Sequence, residues 1–327
     1  MMQHDFSMQT KTPFFAKVML FGEYSLLDGS SALTLPYRKR KAWLVSGITG
    51  DQNDENILQM RASNHQLLAY VVYLKKMVES GDLAEVIDMD AIEKAVSGGL
   101  WLRSDIPTGY GLGSSGALVA NIFAHYTSPD WKKKTMDKEL APGILKGVLA
   151  VMESYFHGNS SGIDPLCSYM NKAVLVEGKD NIVSVIPMHH FLQSEGSGFF
   201  LLDTGQQRKT APLVSLYHQK KKQDVFRSML TSRYIPCVNR CIKAVTASAT
   251  GKLQQHMREL SGMQFTYFTE MIPEHFIPVW EQGFSSGDYS LKLCGAGGGG
   301  FLLGFTTNFR QASARLSQFG IIKPEKL

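Results

Sequence analysis

Two carboxylates eleven residues apart are the first candidates for chemistry in this chain. Residues 153–164 have the sequence ESYFHGNSSGID, in which Glu153 lies late in a predicted helix and Asp164 precedes Pro165. Because a proline disfavours helix in the residue before it, we expect the chain to turn at Asp164. The loop between them is long enough to bring both carboxylates to one site. Taken singly, each residue has an ordinary alternative, as a solvated helix side chain or a turn residue.

A glycine-rich segment predicts an anion site. Residues 107–118 read PTGYGLGSSGAL, between a predicted strand and a predicted amphipathic helix. Gly109, Gly111 and Gly113 allow positive φ angles and a close approach of the backbone to a ligand. Ser114 and Ser115 then place hydroxyls at the helix N-terminus, where free N–H groups favour anions. No G-K-[ST] follows, so the segment is not a Walker A loop.

Two further segments contain residues that would be costly without a purpose. In KVMLFGEY, residues 17–24, Lys17 lies inside a predicted strand and Glu23 at the following turn. Either charge is destabilising if buried unpaired, although Lys17 at a strand edge and a capping Glu23 would be ordinary. In KLCGAGGGGF, residues 292–301, four consecutive glycines precede strand-like apolar residues. Such a loop is expensive to order, so we expect it to lie flat against another backbone or a phosphate.

Strands and helices must position these segments, and hydrophobic periodicity predicts both. The predicted strands are Phe14–Leu20, Ala32–Leu35, Val45–Ile48, Leu100–Arg103, a hairpin of Ala173–Val176 and Ile182–Ile186, Phe199–Asp203, Lys292–Leu293 and Phe301–Phe305. The predicted helices are Ser63–Val78 with Ser63 as its cap, Ala91–Val96, Ala117–Tyr126, Pro142–Phe156, Leu213–Met229, Val238–Ala249, Lys252–Phe265, Phe276–Gly283 and Phe309–Phe319. The polar stretch His189–Gly198 predicts a boundary between a domain of residues 1–190 and one of residues 191–327.

Composition excludes several classes of protein. The chain has 327 residues, 44% hydrophobic and 19% charged, which is ordinary for a globular protein and unlike a disordered, collagenous or coiled-coil chain. A net charge of +5 is too mild to indicate nucleic-acid binding but suits an anionic substrate. No apolar run approaches the ~18 residues of a membrane span, and the polar first residues lack a secretory signal. Four cysteines do not make a disulfide framework, so we expect a cytoplasmic protein. We expect it to be a monomer or a homodimer.

The three glycine-containing segments, taken in their order along the chain, resemble the motifs of the GHMP kinase superfamily of galacto-, homoserine, mevalonate and phosphomevalonate kinases. Lys17 with Gly22-Glu23 is similar to the first motif, residues 107–115 to the phosphate loop P-x-x-x-G-L-G-S-S, and residues 292–300 to the C-terminal K-L-x-G-A-G-G-G-G. Residues 156–164 resemble the H-G-x-x-S-G-hydrophobic-D segment of mevalonate kinases. The resemblance implies an α+β fold of two domains, the first like ribosomal protein S5 domain 2 and the second ferredoxin-like, with the active site in the cleft between them.

The resemblance also implies a reaction and roles for individual residues. It implies a transferase that uses ATP and Mg²⁺ to phosphorylate a small-molecule alcohol, most simply mevalonate to 5-phosphomevalonate in isoprenoid biosynthesis. Asp164 would be the catalytic aspartate with Lys17 as its charged neighbour, while Ser115 and Glu153 would hold Mg²⁺. The implied nucleotide-binding residues are Gly109, Gly111, Leu112, Gly113, Ser114, Ser115, Gly297 and Gly298. The implied substrate residues are Glu23, Tyr24, His157, Ser161 and Thr210.

Three residues depart from the mevalonate kinase pattern and keep alternatives open. Tyr24 stands where those kinases usually carry His, Gly116 replaces a usual Ala, and Cys294 replaces a common Thr. The first two resemble phosphomevalonate kinases, whose additional dianion would need converging cations. Those could come from residues 38–41, in a predicted turn after the first motif, or from Arg208 and Lys209. Phosphomevalonate kinase, an uncharacterised GHMP sugar kinase and a degenerate nucleotide-binding module therefore remain as alternatives to mevalonate kinase.

Overall fold

A computed structural model describes residues 11–47, 55–137, 140–178, 182–186, 196–319 and 321–322. The strands are β1 Phe14–Phe21, β2 Ala32–Val45, β3 Trp101–Ser104, β4 Ala173–Glu177, β5 Ile182–Ile186, β6 Gly198–Asp203, β7 Ser290–Leu293, β8 Phe301–Thr306 and β9 Ile321–Ile322. The helices are α1 Glu55–Glu79, α2 Met89–Ser97, α3 Ser114–Tyr126, α4 Pro129–Met136, α5 Pro142–His157, α6 Ile163–Met170, α7 Thr210–Lys220, α8 Asp224–Met229, α9 Ile235–Thr246, α10 Thr250–Tyr267, α11 Ile277–Ser286 and α12 Phe309–Arg315. This mixture confirms the predicted α+β class.

The strands form two sheets. The first has the order β1-β2-β4-β5, with β3 also paired to β2. The predicted hairpin is confirmed, because β4 and β5 pair antiparallel with Val174 opposite Val185. The second sheet has the order β7-β8-β6-β9, and its described pairs are all antiparallel.

Contacts divide the chain into two compact units. Unit 1 contains the residues up to Lys17, Arg40–Ile106 and Gly113–Asn171, and unit 2 contains Val18–Lys39, Pro107–Leu112 and Lys172–Leu327. Strands β1 and β2 therefore continue from one unit into the other along the chain. The predicted division at residue 190 stays a prediction. It is based on the polar stretch His189–Gly198, of which residues 189–195 lie outside the described residues.

Unit 1 is built on helices whose apolar faces are buried together. Helices α3, α5 and α6 pack on one another, and α1 packs on α5 and β3. The fully buried side chains here include Leu67 and Leu74 of α1, Ile122 of α3, Leu149 of α5 and Leu166 of α6. Burying each such side chain stabilises the fold by about 1.5–3 kcal/mol before conformational entropy is counted. Helix α3, which follows the glycine loop, and helix α6 therefore both belong to the packed core of unit 1.

Unit 2 places the second sheet against helices. Helix α10 packs on β7 and on α9, and α11 also packs on β7. Leu201, Leu291 and Leu303 of the sheet are buried, as are Met257 of α10 and Trp280 of α11. The C-terminal glycine segment connects β7 to β8, two neighbouring strands of this sheet, so both of its ends are fixed.

Several predictions of local structure were wrong. Residues 38–41 do not form a turn but continue β2 as one strand, in which all four side chains are exposed between buried neighbours. The predicted helix Leu213–Met229 is two helices, α7 and α8, separated at residues 221–223. Ser63 does not cap α1, which starts earlier; its hydroxyl instead exchanges hydrogen bonds with the backbone of Leu102.

The prediction of a turn at Asp164 was also wrong. Asp164 lies in the first turn of α6, and Pro165 is the third residue of that helix. Proline is tolerated there because the first N–H groups of a helix have no intrahelical partner.

Among the described residues, no helix is long and apolar enough to cross a membrane.

Candidate active site

The phosphate loop has the backbone that its glycines predict. Gly109, Gly111 and Gly113 have φ angles of 80°, 79° and 73°, which confirms the expected left-handed turns. Leu112 between them is buried and fixes the loop to the protein interior. Gly113 is the N-cap of α3, so Ser114 and Ser115 are its first two residues, as expected. The N–H groups of this first turn point out of the helix start, where an anion is stabilised.

An ion pair in unit 1 joins the two residues predicted to be catalytic. Lys17 Nζ lies 2.8 Å from Asp164 Oδ2, and the side chains are 5% and 27% exposed. Lys17 is held by β1, whereas Asp164 lies at the amino end of α6, where the helix dipole stabilises a carboxylate. The ammonium is therefore almost fully buried, while part of the carboxylate remains accessible to a second molecule.

The second carboxylate of unit 1 is held by hydroxyl groups. Ser115 donates a hydrogen bond of 3.0 Å to Glu153 Oε1, and Ser160 donates one of 2.5 Å to Oε2. Glu153 is 3% exposed, and burial, followed by repulsion from the charge of Asp164, raises its pKa to about 7. The ring Nε2 of His157 lies 3.0 Å from the Ser115 hydroxyl. The structure thus brings Ser115 and Glu153 together, as the sequence predicts, and adds His157 to them.

The packing of α3 on α6 explains Gly116. A Cβ atom there would lie 2.9 Å from the main-chain carbon of Asp164 and 2.9 Å from the nitrogen of Pro165. Real Cβ contacts are longer than this, so alanine would push the start of α6 away from α3. Gly116 therefore positions Asp164, and its departure from the usual alanine has a packing cause that does not depend on the substrate.

Unit 2 contains a second, fully buried ion pair. Lys292 Nζ lies 2.5 Å from Glu23 Oε1, and the side chains are 0% and 3% exposed. Lys292 also donates to the carbonyl of Leu293. Tyr24, the next residue after Glu23, has a φ of 59°, rare for a residue with a side chain, and donates a 2.7 Å hydrogen bond to the Ala296 carbonyl. Burial raises the pKa of Tyr24 well above its ordinary value, so its hydroxyl is a hydrogen-bond donor at neutral pH.

The C-terminal glycine segment lies flat against other backbone, one of the two arrangements expected for it. A Cβ atom at Gly297 would lie 2.6 Å from the Met271 carbonyl oxygen, and one at Gly300 would lie 2.6 Å from Cα of Tyr110. Gly298 donates its N–H to Met271. The glycines are thus required by the protein's own packing, and the predicted binding of nucleotide by Gly297 and Gly298 stays a prediction.

The chain can be compared with protein-family models, with curated proteins and with solved structures. No protein-family model matches the chain. A mevalonate kinase of Pyrococcus abyssi is 27% identical over 168 residues, which is 47% of this chain and 47% of that kinase. The alignment therefore spans about half the length of the curated relative.

Solved structures match over nearly the whole chain. The mevalonate kinase of L. major in complex with R-mevalonate superimposes with a TM-score of 0.62 at 17% identity, covering 94% of this chain and 91% of that one. The phosphomevalonate kinase of Streptococcus pneumoniae, in complex with phosphomevalonate and AMPPNP, gives 0.60 at 17% identity, covering 96% and 98%. The chain has the fold of the GHMP kinases. It resembles mevalonate kinase in sequence over the matched half.

Within this GHMP kinase fold, the remaining predicted residues are exposed. Ser161 lies in the loop before α6, and Thr210 is the first residue of α7; both contact solvent, as does His157. Their contact with substrate, like that of Glu23 and Tyr24, stays a prediction. Sequence reasoning missed Ser160 and the partner of Glu23. The signal for Ser160 was the serine doublet that follows the Glu153 helix, and the signal for Lys292 was a lysine inside an otherwise apolar strand.

Proposed function

We propose that this chain is an ATP-dependent kinase that transfers the γ-phosphate of ATP to the hydroxyl of mevalonate, forming 5-phosphomevalonate for isoprenoid biosynthesis. The observation that carries the proposal is the Lys17–Asp164 pair, in which a partly accessible carboxylate is fixed 2.8 Å from a buried ammonium. Lys17, the glycine loop and the H-G-x-x-S-G-I-D segment that ends at Asp164 follow one another along the chain. This order supports the GHMP kinase assignment. The similarity to P. abyssi mevalonate kinase supports the substrate.

The residues around Glu153 suit Mg²⁺. A carboxylate and a serine hydroxyl are hard oxygen ligands, and Mg²⁺ keeps several waters, so one of each suffices beside the phosphates of ATP. Glu153 is buried with two hydroxyl donors and near a second carboxylate, which leaves this cluster short of positive charge. Ser115 and Glu153 would hold the ion. When bound, it would neutralise charge on the phosphate chain.

Asp164 would act directly on the substrate. Its accessible oxygen would accept a hydrogen bond from the substrate hydroxyl, orient it toward the γ-phosphorus, and take its proton as the new P–O bond forms and the bond to ADP breaks. Lys17 would hold the carboxylate in place and stabilise negative charge near the transferred group. The start of α3 would cradle phosphate oxygens with its free N–H groups. Catalysis would come mainly from alignment and charge neutralisation.

Phosphomevalonate is the main alternative substrate, and Tyr24 is the residue that favours it. Gly116 no longer argues for it, because its packing against Asp164 is sufficient cause. The exposed cations of residues 38–41 lie on a strand, where alternate side chains face opposite sides, so at most two could face one ligand. A non-catalytic module is disfavoured because Lys17, Ser115, Glu153 and Asp164 are all present, and because Lys17 contacts Asp164 and Ser115 contacts Glu153.

A coupled ADP-release assay with mevalonate, phosphomevalonate and galactose tests the proposal. We expect kcat/KM for mevalonate to exceed that for phosphomevalonate by at least ~10-fold, about 1.4 kcal/mol of transition-state binding. A higher value for phosphomevalonate would show that Tyr24 was the more informative residue. ATP binding without turnover of any of the three substrates would reject a mevalonate kinase and favour the binding module.

A further inference from the structure

Arg208 lies between the two glycine segments of unit 2. Its main-chain N–H donates 3.1 Å to the carbonyl of Gly109 in the phosphate loop. Its Nη1 donates 2.7 Å to the carbonyl of Cys294, at the start of the C-terminal glycine segment. A Cβ atom at Gly111 would lie 2.6 Å from Nη1, and one at Gly295 would also collide with the guanidinium. Both segments therefore leave room for this side chain by lacking side chains of their own.

The guanidinium is only partly satisfied by the protein. Its Nε is buried and has no hydrogen-bond partner among the described residues. The ion pairs within the described part of the chain join other cations, and none of them involves Arg208. A buried donor without an acceptor costs about 1–3 kcal/mol, and more when it belongs to a charged group. An acceptor oxygen of a ligand would offset this cost.

The remaining edge of the guanidinium can pair with an oxyanion. Nη1 is committed to Cys294, whereas Nε and Nη2 form the side edge of the planar group, which can hold two oxygens of one phosphate. We propose that Arg208 is a further phosphate-binding residue of this kinase and that its Nε edge takes the oxygens of a phosphoryl group. The proposal rests on the proposed function, and the phosphoryl group could belong to the nucleotide or to a phosphorylated substrate.

A purely structural role for Arg208 predicts different behaviour. A residue that only ties the two glycine segments together would need the Nη1 bond to Cys294 and the backbone bond to Gly109. Its loss would then lower the thermal midpoint and weaken every ligand alike. A phosphate-binding residue instead discriminates between ligands that carry phosphate and ligands that lack it.

The test is a calorimetric titration of the full chain with two matched pairs of probes. Inorganic triphosphate is compared with adenosine, and phosphomevalonate with mevalonate. We expect Arg208→Gln to weaken one phosphate probe by about 10- to 100-fold and to leave the phosphate-free member of that pair within about 2-fold. Arg208→Lys should recover only part of the loss, because an ammonium cannot offer two fixed parallel donors. Arg233→Gln, which removes an exposed arginine of unit 2, should change neither pair.

The pattern of losses identifies the source of the phosphate. A loss confined to triphosphate assigns the nucleotide, and a loss confined to phosphomevalonate assigns the substrate. Equal affinities in Arg208→Gln and Arg233→Gln overturn the proposal, as does a uniform loss for all four probes with a lowered thermal midpoint. A wild-type chain that binds neither phosphate probe overturns it as well. Arg208-dependent triphosphate binding without ADP release from any alcohol would sustain the Arg208 site and reject the proposed kinase function.

Discussion

Two buried glutamates, one in each unit, have opposite electrostatic surroundings. Glu23 in unit 2 lies 2.5 Å from the ammonium of Lys292, and both side chains are sealed from water. Glu153 in unit 1 is equally buried but receives hydrogen bonds only from the hydroxyls of Ser115 and Ser160 among its described contacts. Burial raises the pKa of both carboxyls; a lysine opposes the rise at Glu23, whereas the charge of Asp164 adds to it at Glu153.

The difference separates a buried carboxylate that a lysine neutralises from one that has no cation of its own. The Glu23–Lys292 pair is neutral and excludes solvent, which is the behaviour of a group that fixes a fold. In unit 1 the ammonium of Lys17 is committed to Asp164, so Glu153 adds negative charge that its contacts do not neutralise. We infer that Glu23 fixes the backbone at Tyr24, and we propose that Glu153 binds a cation. Three substitutions can break or sharpen this comparison.

Lys292→Met should have the largest effect, and the effect should be on stability. Removing the ammonium leaves a sealed carboxylate without its partner, and breaking such a pair costs about 3–5 kcal/mol. The free energy of unfolding, measured in urea at pH 7.5, should fall by this amount. The double variant Glu23→Gln/Lys292→Met should recover most of the loss, because it removes the unpaired charge.

If the single and double variants were equally unstable, the pair would matter through packing of the lysine stem and not through charge. Lys75→Met serves as the control, because its ion pair with Glu93 is exposed and solvent screens such pairs, so we expect little change in stability.

Asp164→Asn should affect turnover far more than stability. Asparagine keeps the shape and can still accept a hydrogen bond from Lys17, but it cannot take a proton. We expect kcat to fall by at least ~10²-fold, with ATP affinity and the thermal midpoint nearly unchanged. Single-turnover measurement of phosphoryl transfer, alongside ATP titration, checks both halves. Near wild-type turnover would remove Asp164 from the mechanism and make the open pair of unit 1 as structural as the sealed pair of unit 2.

The sequence predicted the glycine turns and the contacts among the candidate site residues better than the framework around them. Glycine spacing fixed the turns of the phosphate loop, since few other residues adopt those φ angles, and the contacts of Lys17 and Ser115 followed from their motifs. The start of α6 at Ile163 was missed because a proline tolerated in a first turn looks like a helix stop in sequence alone. The length of β2 was missed because residues 38–41 are charged. Only the pairing of the residues before them with β4, and of those after them with β3, shows that they continue the strand.

Long-range partners were the part that local patterns could not supply. Glu23 and Lys292 are 269 positions apart. Nothing in the sequence around either residue indicates that the two charges neutralise each other. Arg208 was predicted only as a possible cation for a substrate phosphate, because the room that Gly111 and Gly295 leave for it depends on the folded chain. Gly116 resembles a substrate signal in sequence alone, because its close approach to Asp164 also depends on the folded chain.

Glu153→Gln sharpens the comparison through stability, and the size of its effect depends on pH. The pKa of Glu153 rises from 4.5 to about 7 on folding, so its contribution to stability is fully present below pH 4.5 and is lost as pH rises through 7. In metal-free buffer, Gln should therefore equal Glu near pH 4.5 and be more stable by up to about 3 kcal/mol at pH 8. Urea unfolding across this range measures the difference, with Glu93→Gln, an exposed glutamate, as a flat control. Mg²⁺ at pH 8 should stabilise wild type and not Glu153→Gln, because the ion supplies the positive charge that the unit 1 cluster lacks. A pH-independent difference between Gln and Glu would mean that Glu153 is neutralised within the fold, as Glu23 is, and the contrast between the two units would be lost.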